Sequence, residues 1–313
     1  MKRRDFLKSA TVAGLASVAG CRPAEAACCG SKCGDINLCL NFMAVPVTGD
    51  FNAKLDYLEA NGYAAVEIPT GGRKCEWILK NGEAFGKAMQ GRRLVCATAC
   101  GPSRFDYADP KMNDAEVAKF MPVLEILGGL KSVGLIICPA RSKPEVGLKE
   151  LREDFVTNTG RRLAEKAAKC GTSIVLEPLQ RKETPFMRQV SDAAKIAQEI
   201  GAGCTVLADF WHMTWEEAND RAAMLSAGSL LTHVHIASRR NRKIPGSDGV
   251  ADNYELGFRG LKEIGYNGAV SLEAGWVPKG KDAKGKTILP DLAERHAILT
   301  KMCELLRRQW EEA

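Results

Sequence analysis

The sequence predicts an α/β fold, a single (β/α)8 TIM barrel, on three observations. Eight short apolar runs recur along the 313 residues, with starts spaced roughly 26 to 41 residues apart, the length of a strand, a crossover helix and the return. The runs are apolar on both faces, as in a parallel sheet covered by helices. Ionisable residues close four of the later runs, and parallel barrels keep their chemistry at the carboxyl ends of the strands. Barrels of roughly 250 residues form one domain, so residues 35–313 are expected to be one barrel, preceded by a segment over 1–20 and a Cys/Gly-rich linker over 21–34.

The amino terminus reads as an address. Lys2, Arg3, Arg4 and Lys8 against Asp5 carry half of the formal charge of +6, and the run from Ala10 to Gly20 is too short to span a bilayer. Arg3-Arg4 followed by Phe6-Leu7-Lys8 resembles a twin-arginine export signal. Val18-Ala19-Gly20-Cys21 resembles a lipoprotein box that would acylate Cys21, and the small residues around Ala26 also suit a later cleavage. The expected location is therefore the periplasm, with membrane contact only through such an anchor. The modest charge of the remainder excludes a nucleic-acid partner.

The expected strands are Ile36 to Ala44, Tyr63 to Pro69, Leu94 to Cys100, Ser132 to Pro139, Ser173 to Leu179, Cys204 to Phe210, Leu230 to Ala237 and Ala269 to Ala274. Helical periodicity marks Phe51 to Ala60, Asp114 to Leu127, Lys149 to Lys169, Asp192 to Ile200, Glu216 to Leu225, Glu255 to Ile264 and Asp291 to Arg308. Gly62, Gly171, Gly201 and Gly265 each end a helix just before a strand, where a left-handed residue costs least. Cys39, Cys96, Cys100, Cys138 and Cys204 lie within apolar runs and read as buried thiols. Cys28, Cys29 and Cys33 lie in the linker and could pair with one another or with Cys75, bind a metal, or do neither.

Strand five ends in Glu177, strand six in Asp209 and strand eight in Glu273, while strand seven contains His233 and His235. Three carboxylates converging on one axis would repel, and a cation among them resolves the electrostatics. Two Glu, one Asp and one His suit a single divalent ion, with Mn²⁺, Mg²⁺ or Co²⁺ favoured and Zn²⁺ allowed.

These stretches, Leu176-Glu177-Pro178-Leu179-Gln180-Arg181, Asp209-Phe210-Trp211-His212-Met213, His233-Val234-His235-Ile236 and Ser271-Leu272-Glu273, resemble the xylose isomerase-like barrel superfamily. Within it they are similar to the sugar isomerase and epimerase group that includes tagatose 3-epimerase and hydroxypyruvate isomerase. The resemblance implies metal ligands Glu177, Asp209, His235 and Glu273, substrate contact by His212, and an acid/base pair of Glu177 and Glu273 on opposite faces of the sugar. A cis-enediolate would be the shared intermediate. It also implies a substrate arginine at Arg242, although the spacing is one residue off and a solvated basic loop fits equally, and an acid at Glu183 that orients His212. The chain has four histidines, too few for the three-zinc endonuclease branch, and Leu179 stands where xylose isomerases carry a lysine.

Trp211 and Trp276 could stack on a sugar or pack the rim. Phe42 could close the pocket, Glu67 could line it or form a salt bridge, and His233, two residues before His235, could hold a carboxylate. His296 is expected at the surface. The leading function is an exported, metal-dependent sugar isomerase or epimerase acting on an unphosphorylated sugar or keto-sugar. A 3-keto-glycoside lyase would use the same enolate chemistry, and a non-catalytic sugar- or metal-binding lipoprotein is the third class. The partner is a small-molecule sugar, with a homo-oligomer left open.

Overall fold

A computed structural model describes residues 34–313, so the segment expected to be an export signal, the cysteine expected to be acylated (Cys21), and Cys28, Cys29 and Cys33 lie outside the described residues. Strands β1 (Asn37–Asn41), β2 (Ala65–Pro69), β3 (Val95–Cys100), β4 (Gly134–Ile137), β5 (Ser173–Leu176), β6 (Cys204–Asp209), β7 (Leu231–Ile236) and β8 (Ala269–Leu272) form a closed parallel barrel. β8 pairs with β1 through Asn37 and Ala269 to Leu40 and Leu272, which shuts the ring. Each strand lies within the run expected for it. β5 stops at Leu176 because Pro178, two residues on, cannot donate to a ladder.

Helices α1 (Phe51–Ala60), α2 (Glu76–Met89), α3 (Pro110–Gly129), α4 (Leu148–Asp154), α5 (Gly160–Cys170), α6 (Val190–Ile200), α7 (Phe210–Glu216), α8 (Asp220–Ala227), α9 (Glu255–Glu263) and α10 (Leu292–Glu312) surround it. α2 has no counterpart in the sequence reading, because Gly82 and Gly86 interrupt its pattern. Both glycines face α3: a Cβ on Gly82 would meet Ile126 Cγ2 at 2.5 Å and one on Gly86 would meet Leu130 at 3.1 Å. They serve close helix packing at the expense of helix propensity.

The helix expected over Lys149 to Lys169 is α4 and α5 joined by a wide π turn over Phe155–Thr159. The one expected over Glu216 to Leu225 is broken, because the Asn219 side chain accepts from Ala222 N and starts α8 afresh. A short hairpin, β9 (Gly280–Lys281) with β10 (Thr287–Ile288), follows the barrel and was not anticipated. Among the described residues no helix is long and apolar enough to cross a membrane.

The main core lies between strands and helices, where Leu38, Leu40, Val66, Ile68, Leu135, Ile137, Val206 and Val234 pack against residues such as Phe120, Leu124 and Phe258. Inside the barrel the apolar groups are few and split. Cys39, Ala65, Ala97 and Ala269 form one small cluster and Ile136, Val175 and Leu207 another. Alternation along each strand then carries inward-facing polar groups one step nearer the carboxyl ends: Glu67 after Ala65, Cys138 after Ile136, Glu177 after Val175, Asp209 after Leu207, and Ser271 then Glu273 after Ala269.

Candidate active site

Asp209 and His235 are register partners on β6 and β7, and His235 partners Ser271 on β8. His235 Nδ1 lies 3.2 Å from Glu177 Oε1 and 3.0 Å from Glu273 Oε2. One ligand atom from each of Glu177, Asp209, His235 and Glu273 falls within 4.8 Å of the others, a spacing that could hold one metal ion. The structure thus brings together all four residues expected to share a cation. Glu177, Asp209 and His235 are buried, and Glu273 is partly exposed toward the mouth.

Burial and the Glu273 charge raise the Glu177 carboxyl, and burial with Glu273 and Glu177 pushes Asp209 up to about 7. Burial works against Glu273 too, but His235 and Arg242 hold it at about 2. For His235, burial opposes the charge, yet Glu67 and Glu273 raise its pKa well above the ordinary value. Asp209 Oδ2 is buried with no hydrogen-bond partner. An orphaned acceptor beside crowded carboxyls, with hard oxygen donors and one imidazole, fits a divalent ion.

The segment after β6 turns straight into α7 because Asp209 Oδ1 accepts from Trp211 N. That turn sets His212 beside the cluster: its Nε2 is 3.5 Å from Asp209 Oδ2, and its Nδ1 accepts from Gln180 N at 3.1 Å. Burial, with Arg242 nearby, lowers the His212 pKa to about 3, so the ring is neutral. Its Nε2 makes no hydrogen bond, and with Nδ1 accepting, that nitrogen carries a proton to offer.

Arg242, expected either at the substrate or on a solvated loop, turns inward. Its Nη2 is 2.7 Å from Glu273 Oε2 and 3.6 Å from Asp209 Oδ2, and its guanidinium lies 4.4 Å from the centre of the Trp211 ring. The residue sits in the left-handed region at φ 52°. Arg242 N donates to Ser238 O and Gly275 N donates to Arg242 O, which pins this loop between the ends of β7 and β8.

Two expectations need correction, at Glu183 and Phe42, and two open alternatives close, at Trp276 and Glu67. Glu183 does not orient His212: the Gln180 backbone does, while Glu183 accepts from Gln180 Nε2 at 3.2 Å and lies 3.9 Å from Arg242. Trp276 packs the rim: it is partly buried against the core and its ring faces Arg295 at 5.0 Å. Phe42 is buried in an aromatic group with Phe51, Trp77 and Phe85, behind the strands. Of the two readings of Glu67 the structure shows the ion pair: the carboxylate is fully buried below the mouth, 3.1 Å from His233 Nε2 and 2.9 Å from His235 Nε2. His296 is exposed, as expected, and bonds Tyr57.

Two residues were not expected at the site. The Cys138 thiol donates to Glu177 Oε2 at 3.4 Å, although its position two residues after Ile136 signalled an inward direction. Gln180 was quoted only as part of a motif. Cys75 is buried and pairs with no other cysteine among the described residues.

A closed parallel barrel with an acidic, histidine-bearing cluster at the carboxyl ends of β5 to β8, spaced so that it could hold one metal ion, defines the class of barrel this chain forms. The chain belongs to the xylose isomerase-like TIM barrel family, whose model matches residues 55–299. It is 28% identical over 232 residues to 3-dehydro-D-guloside 4-epimerase of Escherichia coli (strain K12), covering 70% of this chain and 85% of that protein. It is 32% identical over 182 residues to L-ribulose 3-epimerase of Methylomonas sp. (strain DH-1), covering 58% and 62%. Among solved structures, 3-keto-D-glucoside 4-epimerase from E. coli matches at a TM-score of 0.71 and 23% identity, over 87% of this chain and 99% of that one.

Proposed function

We propose that this protein is a divalent-metal-dependent epimerase of unphosphorylated keto-sugars, working through an enediolate. The observation that carries this reading is the convergence of Glu177 and Glu273, from strands on either side of β6 and β7, upon a single nitrogen of His235 at 3.2 and 3.0 Å. Glu177, Asp209, His235 and Glu273 would hold the ion, which supplies Lewis-acid polarisation of the sugar carbonyl and neutralises the charge that develops on its oxygen.

The chain's own groups do the rest. One glutamate takes the proton from the carbon beside the ketone, and the C–H electron pair moves into the carbonyl. The other glutamate returns a proton to that carbon from the opposite face, which inverts it. His212, neutral and with Nε2–H free, donates to a substrate oxygen, and the Arg242 guanidinium offers fixed donors to another. Trp211 holds that guanidinium in place. Cys138 restrains the free oxygen of Glu177. The relative that this chain spans over most of its length acts on a 3-dehydro-guloside, which supports a keto-glycoside over a free ketose.

Proton NMR of the Mn²⁺-activated protein, quenched and freed of metal, after incubation in D₂O with 3-keto-glucosides, free ketoses and hydroxypyruvate tests this. Deuterium beside the carbonyl together with an epimer is the expected result. Release of the glycosidic alcohol would instead assign a lyase, and no exchange with metal bound would leave a binding protein. Glu273→Gln should abolish exchange and leave sugar affinity within a fewfold. Export and acylation at Cys21 belong to the same reading; Cys21→Ser should release the protein from the membrane fraction of expressing cells.

A further inference from the structure

Beneath the cluster, one carboxylate collects an unusual number of donors. Glu67 Oε2 receives Thr98 Oγ1 at 2.8 Å, His235 Nε2 at 2.9 Å and His233 Nε2 at 3.1 Å, while Glu67 Oε1 receives Asn41 Nδ2 at 3.3 Å. Glu67, Thr98, His233 and His235 are all fully buried. Register slips between Val66 and Ile68 where β2 meets β3, a bulge beside Thr98 of the kind that re-aims a side chain. The small residues Cys39, Ala65, Ala97 and Ala269 form the adjoining layer and leave room for two imidazoles.

We propose that Glu67 is a positioning residue for His235: by holding the proton on Nε2 it presents the Nδ1 lone pair to the cation site, with Thr98 and His233 fixing the carboxylate. This inference rests on the metal-dependent reading above. An ionised carboxylate only accepts, so the hydrogens at these contacts sit on Thr98 Oγ1 and on the Nε2 atoms of both histidines. His233 Nδ1 has no partner, which agrees with a neutral ring protonated at Nε2, since that atom is then a lone pair rather than a stranded N–H. Without an ion the same rule places a proton on His235 Nδ1 as well, toward Glu177 and Glu273; a cation bound there would take the place of that proton, while Glu67 keeps the one on Nε2 and sets the ring rotation from below. Partners of this kind, behind a ligating imidazole, orient it and raise its basicity.

Two measurements on the full chain test this. The first is Mn²⁺ affinity by competition with a chromophoric chelator for wild type and Glu67→Gln, with the number of ions bound per chain. The variant keeps the shape and an acceptor oxygen but removes the charge, and about a 10- to 100-fold loss of affinity is expected. The second needs no variant: in the Mg²⁺-loaded, ¹⁵N-histidine-labelled wild type, His235 should be protonated at Nε2 and bare at Nδ1. Equal affinity in the two proteins, or a proton on His235 Nδ1, would overturn the positioning role and leave the proposed reaction standing. Two ions per chain would overturn it differently, by making Glu67, His233 and His235 a metal site in their own right. If the wild type binds no divalent ion, the reading under Proposed function falls first and this inference with it.

Discussion

Arg242→Lys should lower kcat/KM about 30-fold while leaving the barrel intact. The guanidinium makes a charge-assisted contact to Glu273 at 2.7 Å and stacks on Trp211 at 4.4 Å. Lysine keeps a positive charge in reach of Glu273 but loses the planar fork and most of the stacking. Stacking of this kind contributes roughly 1 kcal/mol when partly desolvated, and misplacing one donor of a charged hydrogen bond adds a similar amount. The two together are about 2 kcal/mol, or about 30-fold in rate. A companion, Arg242→Gly, removes the fork entirely and also relieves the left-handed backbone, worth about 1 kcal/mol. It should therefore be less active than the lysine variant and less stable than the wild type, because the lost Glu273 contact and Trp211 stacking outweigh the relieved backbone. The assay is steady-state epimerisation at saturating metal, with thermal melts in parallel. Arg242→Lys within threefold of wild-type kcat/KM would refute the reasoning, because charge alone would then suffice and the geometry of the fork would be irrelevant.

Phe42→Ala should cost about 3–5 kcal/mol by denaturant unfolding, as for a buried aromatic, with KM unchanged in the folded fraction; a tenfold rise in KM without loss of stability would restore Phe42 to the pocket. His212 is held at about 3 against an ordinary 6.5, so the unfolded chain takes up a proton there that the folded chain refuses. Its contribution to stability is complete above about pH 7 and is lost as the pH falls through 6.5 toward 3. Unfolding free energies of wild type and His212→Gln across pH 8 to 4 should converge on acidification, and a constant difference would contradict this.

The barrel was legible because strands apolar on both faces leave an uninterrupted signal, and the four clustered residues were legible because each lies two residues beyond another inward-facing one: Val175, Leu207, His233 and Ser271. α2 was hidden for a tertiary reason: Gly82 and Gly86 make sense only once Ile126 and Leu130 lie against them. The same holds for Glu67. Nothing local to Ile68 or Val66 shows that its partners lie 166 and 168 residues away, on β7. For Trp276, nearness to Glu273 in sequence left stacking on a sugar and packing at the rim equally open, and only the fold shows that its ring packs toward Arg295. The role of Glu183 failed because a backbone amide, invisible to any motif, already occupies His212 Nδ1.

The wiring between β2 and β7 also bears on how the chain reaches its native state. During synthesis Glu67 emerges long before either histidine, and an ionised carboxylate enclosed without its donors is costly by several kcal/mol. An amino-terminal half of the barrel therefore has no inexpensive way to close over its own interior. Ring closure must wait for the last strands, so contacts of very long sequence separation dominate the rate-limiting step and folding should be slow for a chain of this size. The arrangement makes the half-barrel a poor resting place: completion of the acid cluster and completion of the fold become the same event.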